Sequence, residues 1–182
     1  MPLSKASPAD LLEMQAQLGR PMRDVLAIAA RCACGKPLVV QTKPRLASGE
    51  PFPTFYYLTH PALTAALSTL EGAGFMATLQ DRLAADPALQ AGYKKAHEDY
   101  LAEREAILDV PEITGISAGG MPTRVKCLHA LAAHALAKGQ GAGFQIVDAG
   151  GGQEHSGVIL SLFQTSQQLE KKRVEQRGET AG

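Results

Sequence analysis

Three short β-prone runs lie close together between Val25 and Leu58, and the periodic segments after them have helical spacing. The runs are VLAIAARC, PLVVQT and TFYYLT, and they are separated by CGKP and by RLASGEPFP. Runs rich in β-branched and aromatic residues with turn residues between them favour neighbouring strands. We therefore expect a small, mainly antiparallel sheet of about three strands over residues 25–58.

Helical spacing, together with residues that typically start or end helices, predicts the other elements. Ser7 and Pro8 are typical of a helix start, which gives an N-terminal helix over residues 8–18. The helical part, residues 61–138, contains two short helices, a longer one that Asp86 caps and Pro111 closes, and a last one that Pro122 opens. The expected fold class is α+β, with four to five helices packed with the sheet.

The longer helix has two unlike faces in the sequence. Its apolar stripe is predicted to contain Tyr93, Ala96, Tyr100 and Ile107. The opposite face is charged, and we expect it to be solvated; it comprises Lys94, Lys95, Glu98, Asp99, Glu103, Arg104 and Glu105.

Composition divides the chain into one predicted domain and a tail. Residues 1–139 have the periodic segments, whereas residues 140–182 are first Gly-rich and then polar, which predicts a mobile tail. No run reaches about 18 consecutive apolar residues, and the first residues lack the apolar core of a signal peptide. We therefore expect a cytoplasmic protein without a membrane partner.

Charge is balanced overall but not along the chain. Eighteen basic and eighteen acidic residues give no net charge, which argues against a nucleic-acid partner. Residues 20–50 have six Lys or Arg against two acids, whereas residues 71–112 have nine acids against four bases. These segments are expected to complement each other within the fold, and a basic face that binds a partner is the alternative.

Three cysteines suggest a metal site. Cys32 and Cys34 flank the first predicted turn in the pattern CxCG, which resembles half of a zinc knuckle. Cys127 falls early in the predicted last helix, followed by His129 and His134. On a helix, Cys127 and His129 differ by about 200° and point to opposite faces, whereas His134 is displaced by about 10 Å along the axis. This geometry also argues against a catalytic Cys127–His129 pair.

The best tetrahedral zinc set is therefore Cys32, Cys34, His60 and Cys127. His129 is the substitute ligand if the last helix begins later than Pro122. Unrelated reduced thiols and a redox pair are the alternatives. A disulfide between Cys32 and Cys34 closes a very tight ring, so we do not expect a stable structural bridge there.

A glycine loop precedes the predicted last helix. Unpaired amides at a helix N-terminus attract anions, and two cations follow the glycines here. The predicted phosphate-binding residues are Ser117, Gly119, Gly120, Arg124 and Lys126. A plain tight turn that binds no ligand is the alternative, because the loop lacks the order of a P-loop.

Several segments together resemble the actinobacterial domain of unknown function family 501. They are RCACGKPLVVQT, PFPTFYYLTHP and SAGGMPTRVKCLHALAAHALAKG, and the resemblance covers about residues 19–139. After Gly139, GAGFQIVDAGGGQEH replaces the usual ending of the relatives. The genes of such proteins commonly lie near those for a septum-formation initiator and an exopolyphosphatase-like protein. The resemblance therefore implies a bacterial role near cell division or phosphate metabolism, but no established activity.

Three functions remain open at this point. The first is a non-enzymatic, zinc-stabilised module that binds a protein partner. The second is an enzyme or sensor that binds phosphate, polyphosphate or a nucleotide at residues 117–126. The third is a thiol redox sensor.

Overall fold

The α+β fold class is confirmed in a computed structural model that describes residues 3–32 and 34–138. The predicted tail, residues 140–182, lies outside the described residues. In chain order the elements are α1 (Pro8–Leu18), β1 (Val25–Arg31), β2 (Pro37–Thr42), β3 (Tyr56–Leu58), α2 (Pro61–Gly72), α3 (Phe75–Ala85), α4 (Pro87–Glu105), a short 3-10 helix (Pro111–Ile113) and α5 (Leu128–Lys138).

The sheet has three antiparallel strands in the order β1-β2-β3. All six residues of the central strand β2 are buried. Val39 packs into the large core that the sheet forms with α2 to α5, whereas Val40 packs with Met14 of α1 and Ile28 of β1. Helices therefore cover both faces of β2, which explains why the consecutive residues Leu38, Val39 and Val40 are all apolar.

The apolar stripe of α4 is confirmed in its first part and wrong at its end. Tyr93, Ala96 and Tyr100 have no exposed surface, but Ile107 lies beyond the helix and is 49% exposed. Arg104 continues the buried stripe instead, with only 1% of its surface exposed. Its guanidinium donates to the carbonyl oxygens of Ile113, at 2.9 Å, and of Ile116. These two acceptors explain why a charged side chain lies on the buried face.

The last helix begins six residues later than its sequence predicts, at Leu128 rather than at Pro122. The glycine loop continues into a closed turn, in which the amide of Lys126 donates to the carbonyl oxygen of Gly119 at 2.8 Å. The amide of Arg124 donates to Gly120 at 2.9 Å. The bond of Arg124 spans four residues, as in a single helical turn, but the bond of Lys126 spans seven residues and is incompatible with a helix. Helix α5 starts only after this closed turn.

Among the described residues, an ion pair links the basic and acidic segments: Arg45 lies 2.6 Å from the carboxylate of Glu112. The complementarity of the two segments within the fold stays a prediction. Among the described helices, none is by itself long and apolar enough to cross a membrane. The consecutive helices α2 and α3 meet those criteria only as a pair, and they are bent by 73° relative to each other.

Candidate functional site

Cys127 occupies the position immediately before α5. Its carbonyl oxygen accepts from the amide of Leu131 at 3.3 Å, which is the first bond of the helical ladder. Cys127 is therefore the capping residue of α5 rather than a residue within it. Its backbone does not follow the helical rotation, and its Sγ lies 3.9 Å from Nδ1 of His129. The predicted separation of Cys127 and His129 onto opposite faces is thus wrong, because it assumed an earlier helix start.

Glu71 joins these two residues from the last turn of α2. Its Oε1 accepts from the backbone amide of Leu128 at 2.6 Å and lies 3.2 Å from Nδ1 of His129. A carboxylate at this place satisfies an amide at the N-terminal end of α5 and complements the helix dipole. Glu71 was not identified from the sequence. No local pattern indicates that a glutamate in α2 will accept a hydrogen bond from a helix amide 57 residues away.

Both ring nitrogens of His129 face oxygen atoms. Nε2 lies 3.1 Å from the carbonyl oxygen of Thr64 and 3.2 Å from the hydroxyl of Ser68. Carbonyl and carboxylate oxygens only accept, so a ring that is protonated on both nitrogens donates to Thr64 and to Glu71. With a proton on Nε2 alone, Nδ1 would offer a lone pair to a metal ion placed between it, Cys127 and Glu71. Ligand atoms of these three side chains all lie within 4.8 Å of one another.

The side chains of this cluster are accessible to small solutes. Those of Glu71 and His129 each have a relative exposure of 24%, and Cys127 is half-buried. All three side chains therefore have part of their surface in contact with solvent in the folded protein.

Cys32 and Cys34, which the sequence predicts as zinc ligands, are bonded to each other as a disulfide. The small ring that this bond closes argues against such a bridge, and the structure differs from that expectation. The turn between β1 and β2 explains it, because the turn places the two Cα atoms 5.2 Å apart, within the usual range for disulfides. In this state neither sulfur has a thiolate to offer a metal.

The structure therefore places the predicted ligands in different surroundings. His60 precedes Pro61 at the start of α2, as predicted, and is 3% exposed. The cluster around Cys127 contains the substitute ligand His129 but neither Cys32 nor His60. The quartet of Cys32, Cys34, His60 and Cys127 stays a prediction for the reduced protein.

The glycine loop is a packed turn and does not lie at a helix N-terminus. A Cβ atom at Gly119 would lie 2.7 Å from Leu131, and both Gly119 and Gly120 have positive φ. The amide of Val125 donates to the side chain of Gln80 at 2.9 Å, so the amides of residues 124–126 all have partners. The loop nevertheless borders the cluster, because that Cβ would lie 3.4 Å from the carbonyl oxygen of Cys127.

The remaining residues predicted for phosphate binding lie along this turn. The hydroxyl of Ser117 lies 2.8 Å from Nδ1 of His97, and burial lowers the pKa of that histidine. Arg124 and Lys126 are exposed. The two cations are thus available to a ligand, whereas their backbone amides close the turn by donating to the carbonyl oxygens of Gly120 and Gly119.

His134 lies apart from the cluster, in the core. Its ring stacks on Tyr56 at 5.6 Å and meets the edge of Tyr100 at 5.2 Å between ring centroids. Burial lowers the pKa of His134 to about 4. The ring is therefore neutral at physiological pH and acts as a packing residue.

Comparison with known proteins gives a family and no activity. No curated protein and no solved structure matches the chain. One family model matches residues 28–144, which is well over half of the chain and includes the disulfide, Glu71 and the start of α5. The chain therefore belongs to the family described as a protein of unknown function, DUF501.

Proposed function

We propose that this protein is a metal-stabilised module that binds one zinc ion through Glu71, Cys127 and His129. The observation that carries the proposal is the convergence of one carboxylate, one sulfur and one imidazole nitrogen within 4.8 Å. Zinc takes ligands of these three types at about 2.0–2.3 Å, so tetrahedral ligand atoms are about 3.3–3.6 Å apart. The nitrogen lies 3.2 Å from the oxygen and 3.9 Å from the sulfur, which is close to this spacing.

The hydrogen-bond partners of the proposed ligands support the same proposal. Metal-bound histidines usually donate their second ring N–H to a carbonyl or carboxylate, and ligating carboxylates are themselves hydrogen-bonded. Here the carbonyl of Thr64 accepts from Nε2 of His129, and the amide of Leu128 donates to Glu71. With a proton on Nε2 alone, the first contact directs the lone pair of Nδ1 towards Cys127, and the second fixes the carboxylate.

A zinc ion at this place would hold two distant parts of the chain together. Glu71 ends α2, whereas Cys127 and His129 start α5, and both helices pack on the same core. Because the unfolded chain has no preformed site, the binding free energy would contribute to folding. Three protein ligands leave a fourth position for water or for a donor from a protein partner. The connection to cell division or phosphate metabolism implied by the family resemblance stays a prediction.

The test is zinc binding by the full-length protein, purified without a metal-affinity tag. We expect about one zinc per chain by elemental analysis, and a sulfur-to-metal charge-transfer band when Co²⁺ replaces zinc. Cys127→Ser should remove the band and weaken zinc binding on the order of 100-fold or more, since even indirect partners of a metal contribute 10–100-fold. Serine is a good capping residue, so the variant should keep α5. Zinc binding that is unchanged in Cys127→Ser would refute the proposal.

The double variant Cys32→Ser, Cys34→Ser is the matched control. Retained zinc binding would separate the proposed site from the predicted quartet. Lost zinc binding would instead favour the quartet of Cys32, Cys34, His60 and Cys127.

A second candidate is an enzyme or sensor for a phosphate-bearing ligand that occupies the fourth position. The glycine loop borders Cys127, and the exposed cations Arg124 and Lys126 lie on it. For this candidate, inorganic phosphate should raise the melting temperature of the zinc-loaded protein more than that of the metal-free protein. Arg124→Ala should reduce the shift. If sodium sulfate, sodium chloride and phosphate at matched ionic strength shift the melting temperature equally, this second candidate is ruled out.

A further inference from the structure

The Cys32–Cys34 disulfide closes a turn that is already held by the backbone. The amide of Cys32 donates to the carbonyl oxygen of Lys36 at 2.9 Å, and the amide of Gly35 donates to Cys32 at 2.9 Å. Gly35 has a φ of +84°, the left-handed conformation that a three-residue hairpin loop needs. Arg31 adds a hydrogen bond from its guanidinium to the carbonyl of Gly35 at 2.9 Å. The hairpin therefore does not depend on the bridge for its shape.

The bridge also restricts the unfolded chain very little. Only one residue separates the two cysteines. A disulfide stabilises a fold mainly by closing a loop in the unfolded chain, and its effect grows with the length of that loop. The bond can thus break and re-form with little effect on the fold, which is the property of a functional rather than a structural disulfide.

The two cysteines differ in their exposure to solvent. Cys32 is 7% exposed and belongs to the large core, whereas Cys34 is exposed on the turn. An attacking thiolate must approach one sulfur along the bond while the other leaves. This asymmetry makes Cys34 the sulfur that is attacked and Cys32 the leaving group.

The charges beside the turn are paired. Arg31 lies 2.6 Å from the carboxylate of Asp10, and Lys36 lies 3.0 Å from that of Glu13. The formal charges of these two pairs sum to zero. The difference in exposure between Cys32 and Cys34 is therefore the feature on which the assignment of the attacked sulfur rests.

From these observations we infer that Cys32 and Cys34 form a reversible dithiol–disulfide couple that exchanges with thiol substrates through Cys34. A substrate thiolate attacks Sγ of Cys34, the Cys32–Cys34 bond breaks, and Cys32 leaves as a thiolate that takes a proton from water. A second substrate thiolate then attacks the substrate sulfur of the mixed disulfide and releases Cys34. In total, two thiols are oxidised to one disulfide while the protein disulfide is reduced to two thiols. This exchange is independent of the proposed zinc site.

The test uses glutathione as the thiol and the full-length Cys127→Ser protein with EDTA, so that neither the third thiol nor a metal contributes. The protein is equilibrated at several ratios of reduced to oxidised glutathione, quenched with acid, alkylated and measured by intact mass. We expect conversion of both cysteines together from disulfide to dithiol within the accessible range of ratios, while the native fold is retained. A pair that stays oxidised, a pair that stays reduced, or unfolding on reduction would each overturn the inference.

Variants of each cysteine, made in the same Cys127→Ser protein, test which sulfur reacts. With Cys32→Ser, oxidised glutathione should form a mixed disulfide at Cys34. In Cys34→Ser, reaction at Cys32 should be at least about tenfold slower, because exchange requires access to the sulfur. Comparable rates in two folded variants would contradict the assignment of Cys34 as the attacked sulfur.

Discussion

Sγ of Cys127 lies 3.9 Å from Nδ1 of His129, although residues two apart on an α-helix point to opposite faces. The contact exists because Cys127 precedes the first residue of α5. Glu71 reaches both the amide of Leu128 and the ring of His129, so one carboxylate caps the helix and completes the cluster. The late start of α5 is thus the feature that creates the candidate metal site.

The first prediction separates the two roles of Glu71. Glu71→Gln keeps a carbonyl oxygen that can accept from the amide of Leu128, but it removes the negative charge. We expect the melting temperature of the metal-free protein to change little, whereas zinc affinity falls on the order of 10–100-fold. Competition with a chromophoric chelator and melting with and without EDTA measure the two effects.

Glu98→Gln is the matched control for Glu71→Gln, because the side chain of Glu98 is 59% exposed on α4. It should change neither zinc affinity nor melting. If Glu71→Gln binds zinc as tightly as the parent protein does, Glu71 is only a helix cap.

The second prediction concerns the turn that delays α5. Gly119→Ala should destabilise the protein by about 2–4 kcal/mol, because positive φ costs a residue with a Cβ about 1–2 kcal/mol and the Cβ would also lie 2.7 Å from Leu131. Gly115 also has a positive φ, but a Cβ added there would have nothing within 4 Å of it. Gly115→Ala should therefore show the strain alone, about 1–2 kcal/mol. Urea unfolding checks both, and equal losses would mean that the contact with Leu131 is easily relieved.

Local sequence signals predicted most of the fold. Ser7 and Pro8 start α1, Asp86 and Pro87 start α4, and each signal acts within its own turn. Pro122 is the same kind of signal, but no helix starts there, because α5 begins at Leu128. The hydroxyl of Tyr93 donates to the carbonyl of Arg124 at 2.9 Å, and such contacts from distant helices hold the turn in place of a helix.

The candidate site depended on contacts that a local pattern does not contain. The sequence indicated Cys127 as a candidate ligand and His129 as its substitute, but their contact in space depends on where α5 begins. Glu71 was missed because it is far away in the sequence. Arg104 was assigned to solvent from its charge, although it lies eleven residues after Tyr93 and therefore on the same buried stripe.

The third prediction tests the buried guanidinium of Arg104. Arg104→Leu leaves the carbonyl oxygens of Ile113 and Ile116 without this donor, and hydrogen bonds to a charged group contribute about 1.5–3 kcal/mol each. We expect a loss of about 3 kcal/mol in the free energy of unfolding. Lys94→Leu, at a side chain that is 71% exposed on the same helix, should stay within about 0.5 kcal/mol of the parent protein. Chemical denaturation of both variants measures the difference, and a loss below about 1 kcal/mol for Arg104→Leu would show that other donors replace it.

The fourth prediction is a dependence of stability on pH that His134 causes. Burial lowers the pKa of His134 from 6.5 to about 4 in the folded protein, so the unfolded chain binds the proton more tightly than the folded protein does. Stability is therefore unaffected above pH 6.5, falls as the pH decreases from 6.5 towards 4, and loses about 3 kcal/mol from this group in total. His134→Phe keeps an aromatic ring between Tyr56 and Tyr100 and removes the titrating group. Urea unfolding at several pH values between about 4 and 7.5 should show a shallower decline for this variant, and the part of the decline that remains includes His97, whose pKa burial also lowers. Identical slopes in the two proteins would mean that His134 is protonated as easily in the folded state as in the unfolded chain.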